Sequence, residues 1–151
     1  MDLIYQHRDP QDLPGSIWQS GYREIPHDLA SAHIHVVIYS ASECPPLDHH
    51  SGAKLSYYPN DDAMFPEKSK FFIALLENAR AAVPEVVRAV CEGKNVLVTC
   101  SQGINRSSLV TGLAIKQLAP KMDSQDIVDL IKAKRKGALS NGNFIQMILK
   151  Y

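Results

Sequence analysis

The sequence predicts one α/β domain over residues 1–151, with a central, mostly parallel sheet of roughly four or five strands flanked by helices. Three observations predict it. Short β-branched runs at 35–39 and 95–99 have strand character. Longer segments at 69–92 and 106–118 carry apolar residues at helical spacing, and strand and helix signals alternate along the chain. With 45% hydrophobic and 21% charged residues in 151 positions, the chain has the composition of one folded core and not of a disordered segment.

Residues 1–33 mix polar residues with Pro10, Pro14, Gly15, Gly21 and Pro26, and hold a predicted short strand at Ser16–Gly21 and a predicted short helix at Asp28–Ala32. His35–Tyr39 follows as a strand. Cys44–Gly52 (CPPLDHHSG) is rich in turn residues and reads as loop. Ala53–Tyr58 is the next strand, ended by Pro59-Asn60-Asp61-Asp62. In 69–92, Phe71, Phe72, Leu75, Leu76, Ala79, Val83, Val86, Val87 and Val90 fall at spacings of three and four, Pro84 is expected to kink or split the helix, and Gly93 stops it. Asn95–Thr99 is apolar enough for a buried strand. A helix over 106–118 ends before Pro120, and Ser124 is the expected N-cap of Gln125–Lys134. Gly137–Gly142 reads as loop before a last helix at Phe144–Leu149.

Charge and targeting signals narrow the function. Sixteen Lys plus Arg balance sixteen Asp plus Glu, so no general attraction to duplex nucleic acid or an anionic bilayer is expected. No apolar run approaches the roughly 20 residues of a membrane span. Met1–Tyr5 lacks a basic leader, Asp2 replaces the glycine that acylation needs, and Ile148–Tyr151 is no prenylation box. The expectation is an unprocessed cytoplasmic chain. The cysteines Cys44, Cys91 and Cys100 are odd in number and sparse, which favours free thiols; a protective disulfide from Cys100 to Cys44 or Cys91 is the lesser alternative. His33, His35, His49 and His50 lack a matching Cys or carboxylate framework, so neither metal nor other cofactor is expected. Lys132, Lys134, Arg135 and Lys136 read as a solvated helix end that complements the dipole.

The chemistry concentrates in Val96–Val110, whose kernel is Cys100, five residues, then Arg106. Neither Cys44 nor Cys91 has an Arg at that spacing. A strand precedes the kernel and a helix follows it. In open α/β sheets ligands bind beyond the carboxyl ends of the strands. A short loop there curls its N–H groups inward and, with the helix N-terminus, binds a tetrahedral anion. Gly103 supplies positive φ or a close approach, and the Arg106 fork grips two phosphate oxygens. A thiol in that field is pushed toward thiolate, which makes a nucleophile for phosphorus.

The string V-L-V-T-C-S-Q-G-I-N-R-S-S resembles the signature of the cysteine-dependent protein tyrosine phosphatases, specifically the small dual-specificity branch. Gly21, Val36–Tyr39, Pro59–Asp62, the helix from Phe71, and Arg135, Asn141 and Phe144 are similar to landmarks of that branch in the same order, so the likeness covers residues 16–149. It implies a phosphotyrosine-phosphatase-like fold and phosphomonoester hydrolysis through a cysteinyl-phosphate. It further implies Cys100 as nucleophile and Arg106 as phosphate and transition-state ligand. Ser107 would stabilise the departing thiolate, and the amides of Ser101, Gln102, Gly103, Ile104, Asn105 and Arg106 would form the cradle. The family's Pro-x-x-Asp spacing favours Asp62 as general acid, with Asp61 as the alternative. The separation of Asp62 from Cys100 exceeds the family's usual one, which suggests residues looped out near Pro84. Thr99 stands where the family carries His. The implied partner is a phosphorylated protein or peptide met by a monomer without cofactor. The alternatives are an RNA 5′-triphosphatase-like enzyme (Asn105 precedes Arg106), a phosphoinositide phosphatase (disfavoured because the loop has no Lys), and a phospho-binding pseudophosphatase suggested by Thr99.

Overall fold

The computed structural model describes residues 1–50 and 52–151. Ser51, inside the predicted 44–52 loop, lies outside the described residues, as does the side chain of His49. Five strands and four α-helices follow in the order β1 (Asp2–Gln6), β2 (Ser16–Gly21), β3 (Val36–Tyr39), β4 (Lys54–Tyr57), α1 (Lys70–Cys91), β5 (Asn95–Cys100), α2 (Arg106–Leu118), α3 (Ser124–Lys134) and α4 (Gly142–Lys150). The sheet order is β1-β2-β5-β3-β4, parallel except for β1 against β2. β5 is the central strand, and its register sets Cys100 beside Gly21 and Thr99 beside Tyr39.

Alternation along the strands feeds two cores. Ile17, Val36, Ile38, Val96 and Val98 face the helices, where they meet Phe72, Leu76, Val86, Leu109, Ile127 and Phe144. Val37, Tyr39 and Leu97 face the other way and are covered by Ile25, Leu29 and Ile34 from the irregular segment between β2 and β3. The sheet is therefore flanked asymmetrically, with α1 to α4 all contributing to one core.

The differences from the sequence reading have local causes. Asp28–Ala32 is a turn and not a helix: the Asp28 carboxylate accepts from the Ser31 amide at 3.0 Å and from the Ser31 hydroxyl at 2.6 Å, and His33 has φ 58°. β1 was not anticipated, because only Ile4 of its five residues is buried. Pro84 neither splits α1 nor leaves residues looped out; it lies inside one 22-residue helix, on an exposed position where the missing hydrogen bond faces solvent. The extra residues between Asp62 and Cys100 are thus helical. Asp123, and not Ser124, caps α3, with its side chain accepting from the Gln125 amide at 2.8 Å. Among the described histidines, His35 Nδ1 accepts from the Asn95 amide at 2.9 Å, and His50 Nδ1 lies 2.9 Å from the Tyr39 hydroxyl.

Pro84→Ala restores a donor in an exposed helix interior. The expected outcome is a rise in unfolding free energy of about 1–3 kcal/mol in urea titration, with unchanged helical content.

Candidate active site

The segment 101–105 joins the end of β5 to the start of α2, and its carbonyls are held from outside. Ser101 O accepts from the Tyr22 amide at 3.1 Å, and Ile104 O from the Leu139 amide at 3.0 Å and the Ser108 hydroxyl at 2.6 Å. Gln102 O accepts from Arg135 Nη2 at 2.8 Å and Gly103 O from Arg135 Nε at 2.9 Å. With the carbonyls turned outward, the amides are left for the inside of the curve. Among the described residues, no amide from Ser101 to Arg106 donates to a protein carbonyl or side chain. This is the nest that the sequence predicts, and it opens at the N-terminus of α2.

Gly103 has φ +71°, and a Cβ there would lie 2.4 Å from Ser20 C and 2.6 Å from Gly21 N. The close approach that requires glycine is thus to the end of β2. Gly21 is pressed from the other side, where a Cβ would lie 2.8 Å from Glu24 Oε1 and 3.1 Å from Ser101 O.

Arg135 is buried and tied at both ends. Besides the two loop carbonyls, Nη2 donates to Glu24 Oε1 at 2.6 Å and Nη1 to Asp2 Oδ2 at 3.0 Å. Its hydrogen bond to Glu24 pulls that carboxyl from 4.5 down to about 2 against the opposing effect of burial, and the Gly21 amide assists. Reading Arg135 as part of a solvated basic cluster was therefore incorrect, whereas Lys132, Lys134 and Lys136 are exposed. The family likeness had marked Arg135; its burial was the missing information.

Cys100 is 2% exposed, and it lines a polar cavity of about 170 Å³ with Asp62, Ser101, Gln102, Ile104, Asn105 and Arg106. That volume is below the roughly 300–1,000 Å³ of drug-sized pockets, so the cavity suits a phosphoryl-sized group. Cys100 Sγ and Ser107 Oγ are 3.3 Å apart in hydrogen-bond contact. Gln19 Nε2 donates to Ser107 Oγ at 3.3 Å and to Ser108 Oγ at 3.0 Å, which takes one of the two Ser107 lone pairs; the Cys100 thiol donates to the other, and a thiolate there would accept the Ser107 proton instead. Thr99 Oγ1 turns from the loop interior and donates to Ser20 O at 3.0 Å, joining β5 to β2. Behind the sulfur, Cys44 packs with Ala41 and Cys100. All three cysteines are free thiols. Cys91 is remote from that cluster, at the end of α1.

Arg106 closes the cavity from the side. Nη1 donates to Glu43 Oε2 at 2.7 Å and to Asn60 O at 3.1 Å, and Nη2 donates to Glu43 Oε1. Burial opposes the charge of Arg106, but the Glu43 carboxylate holds its pKa above the ordinary guanidinium value. Nε is buried without a protein acceptor, so a donor remains for an oxyanion. Asn60 is itself buried, anchored through Nδ2 to Leu75 O at 2.9 Å.

Asp62 reaches the cavity; Asp61 is not among its lining residues, and its amide donates to Asn60 Oδ1 at 3.0 Å. The Asp62 carboxylate accepts from Asn105 Nδ2 at 2.9 Å and Asn141 Nδ2 at 2.8 Å. Asn105 Oδ1 in turn accepts from the Asn141 amide at 2.9 Å, and Asn141 Oδ1 caps α4 through the amides of Asn143 and Phe144. Three segments far apart in sequence are thus clasped at one carboxylate. Sequence reasoning missed Gln19, Glu24, Glu43 and Asn60 as site residues. Each is an isolated polar residue with no motif, and only long-range contact reveals it.

No family model and no curated protein matches this chain. Solved structures do. The crystal structure of human DUSP28 has a TM-score of 0.67 at 21% identity, covering 97% of this chain and 94% of that one. A mouse putative dual specificity phosphatase complexed with zinc tungstate gives 0.66 at 22%, covering 98% and 86%. A putative protein tyrosine phosphatase from Leishmania major gives 0.66 at 21%, covering 99% and 98%. The fold of the chain is that of these small phosphatases.

Gly103→Ala is expected to lower stability by about 1–3 kcal/mol in denaturant titration, through positive φ and collision with β2. Glu24 loses its proton more readily folded than unfolded. Its stabilising contribution is therefore complete above pH 4.5 and fades as pH falls toward 2. Glu24→Gln should flatten the dependence of unfolding free energy on pH in that window. The effect should shrink in high salt, because the carboxylate is half exposed.

Proposed function

We propose that the protein is a cysteine-dependent phosphatase that hydrolyses phosphomonoesters of proteins or peptides, phosphotyrosine first, through a cysteinyl-phosphate. The observation that carries this reading is a phosphoryl-sized cavity lined by Cys100 and Arg106 together with residues 101, 102, 104 and 105 of a loop whose amides have no protein acceptor among the described residues. The likeness to solved phosphatases supports it.

In the first step the Cys100 thiolate attacks phosphorus. The bond to the ester oxygen breaks, and Asp62 gives its proton to that oxygen so that a neutral alcohol or phenol leaves. Charge on the transferring group is met by the loop amides and Arg106, and Glu43 and Asn60 hold the guanidinium in place. In the second step Asp62 takes a proton from water, the water oxygen attacks phosphorus, and the P–S bond breaks. The electron pair returns to sulfur, where the Ser107 hydroxyl stabilises it. Charge stabilisation in this scheme comes from the protein's own donors. Thr99 in place of an imidazole does not leave the loop unbraced, because Arg135, Tyr22 and Leu139 hold its carbonyls.

The test is hydrolysis of p-nitrophenyl phosphate and a phosphotyrosine peptide in EDTA. Wild type should turn over both, and Cys100→Ser should abolish turnover. Asp62→Asn should lower kcat by about 10²–10⁴ for the peptide, whose phenol leaves less readily than p-nitrophenol, while Asp61→Asn should stay near wild type. Ser107→Ala should slow the second step and let phosphocysteine accumulate, visible by rapid-quench mass spectrometry. Phosphopeptide binding without turnover in wild type would replace this reading with a binding module.

A further inference from the structure

A second cluster of chemically capable side chains lies away from the phosphate loop. His7 follows β1, Asp12 lies in the connection to β2, and Cys91 ends α1. One donor atom from each falls within 4.8 Å of the other two. His7 Nε2 is 2.9 Å from Asp12 Oδ2, and Cys91 Sγ lies within 4.8 Å of both. None of the three is a candidate ligand in the sequence, where 83 positions separate His7 from Cys91 with no metal spacing.

The main chain assembles them independently of their side chains. The His7 amide donates to Gly15 O at 2.9 Å and the Leu13 amide to Cys91 O at 3.0 Å, which fixes the 7–15 loop against the end of α1. The donors are thus held by backbone geometry, as a preorganised site requires. His7 is 1% exposed, and its Nδ1 lies 2.9 Å from the Tyr5 hydroxyl. Without metal, Nε2–H donates to the Asp12 carboxylate and Nδ1 accepts from the Tyr5 hydroxyl; when a cation takes the Nε2 lone pair, the ring proton moves to Nδ1 and is donated to the Tyr5 oxygen, the outer-shell arrangement typical of a ligating histidine. His7 also borders a cavity of about 570 Å³ with Tyr5, Arg8, Asp9, Leu118 and Met122, and the Asp12 side chain is 32% open to solvent.

We infer that His7, Asp12 and Cys91 form a binding site for a borderline-soft divalent cation, zinc by preference, with water completing a tetrahedron. A set of one imidazole, one carboxylate and one thiolate selects zinc over magnesium or calcium, which prefer all-oxygen shells. Zinc bonds of about 2.0–2.3 Å space tetrahedral ligand atoms about 3.3–3.5 Å apart, so the His7–Asp12 pair opens by about 0.4 Å to admit the ion. Binding sends the Cys91 proton to solvent and leaves the thiolate as ligand. The bound ion staples the β1–β2 connection to α1, a structural role separate from phosphate chemistry.

Cobalt(II) is the probe. Titrating it into wild type and into Cys100→Ser should give visible tetrahedral d–d bands and a near-ultraviolet thiolate-to-cobalt band at one equivalent, and zinc should bleach both. Cys91→Ser should lose the thiolate band, and Asp12→Asn, altered at a solvent-facing position, should weaken binding by about tenfold or more. Zinc should raise the melting temperature of wild type and not of Cys91→Ser, each variant being checked for native circular dichroism without metal. A thiolate band that survives in Cys91→Ser, unaltered affinity in Asp12→Asn, or no stoichiometric cobalt binding in wild type would overturn the assignment.

Discussion

The contacts that turn the carbonyls of residues 101–104 outward determine the rest of the site. A five-residue connection between a strand and a helix has no intrinsic reason to present every amide to one side. Here Arg135 holds two of its carbonyls, while the amides of Tyr22 and Leu139 hold those beside them. Once those acceptors are engaged behind the loop, the donors have only the cavity to face. Burying Arg135 carries a desolvation cost, and it is offset by Glu24 and Asp2 beneath it. The anion site is thus supported by a counter-charged layer that never touches the anion.

A similar logic governs Arg106. Its ion pair with Glu43 reaches toward solvent, since the carboxylate is 54% exposed while the guanidinium is 8% exposed. The planar fork is oriented by a flexible, screened partner on one side and by the rigid Asn60 carbonyl on the other. The Asn60 hydrogen bonds also bind the start of the Asp61–Asp62 segment to α1, so Cys100, Arg106 and Asp62 are referenced to one sheet and one helix.

Much of this was legible in the sequence. The strands at β2, β3, β4 and β5, and the helices α1 and α2, emerge from apolar periodicity with errors of a residue or so at the ends. Cys100 to Ser107 could be read because strand, loop and helix signals adjoin one another. Asp62, which the Pro-x-x-Asp spacing of the likeness favours over Asp61, is the one that lines the cavity, its carboxylate held between Asn105 and Asn141. Gln19, Glu24 and Glu43 were illegible for a physical reason. Their partners are 63 to 111 positions away, and no local pattern encodes such a pairing. β1 was missed because a strand with one inward residue has no alternation to detect, and the Asp28 turn because side-chain capping outcompeted a short helix.

The interlock of Gly103 with Ser20 and Gly21 bears on how such a loop can be moved between proteins. Its shape is not a property of seven consecutive residues. Transplanted alone onto another strand–helix junction, the heptapeptide would lack the neighbouring strand end into which its glycine is recessed and the distant arginine that pulls its back. A portable unit must include the end of β2, Glu24 and Arg135 together with the loop. In heritable terms, these scattered positions form one character, in which a change at any of them must be matched by the others.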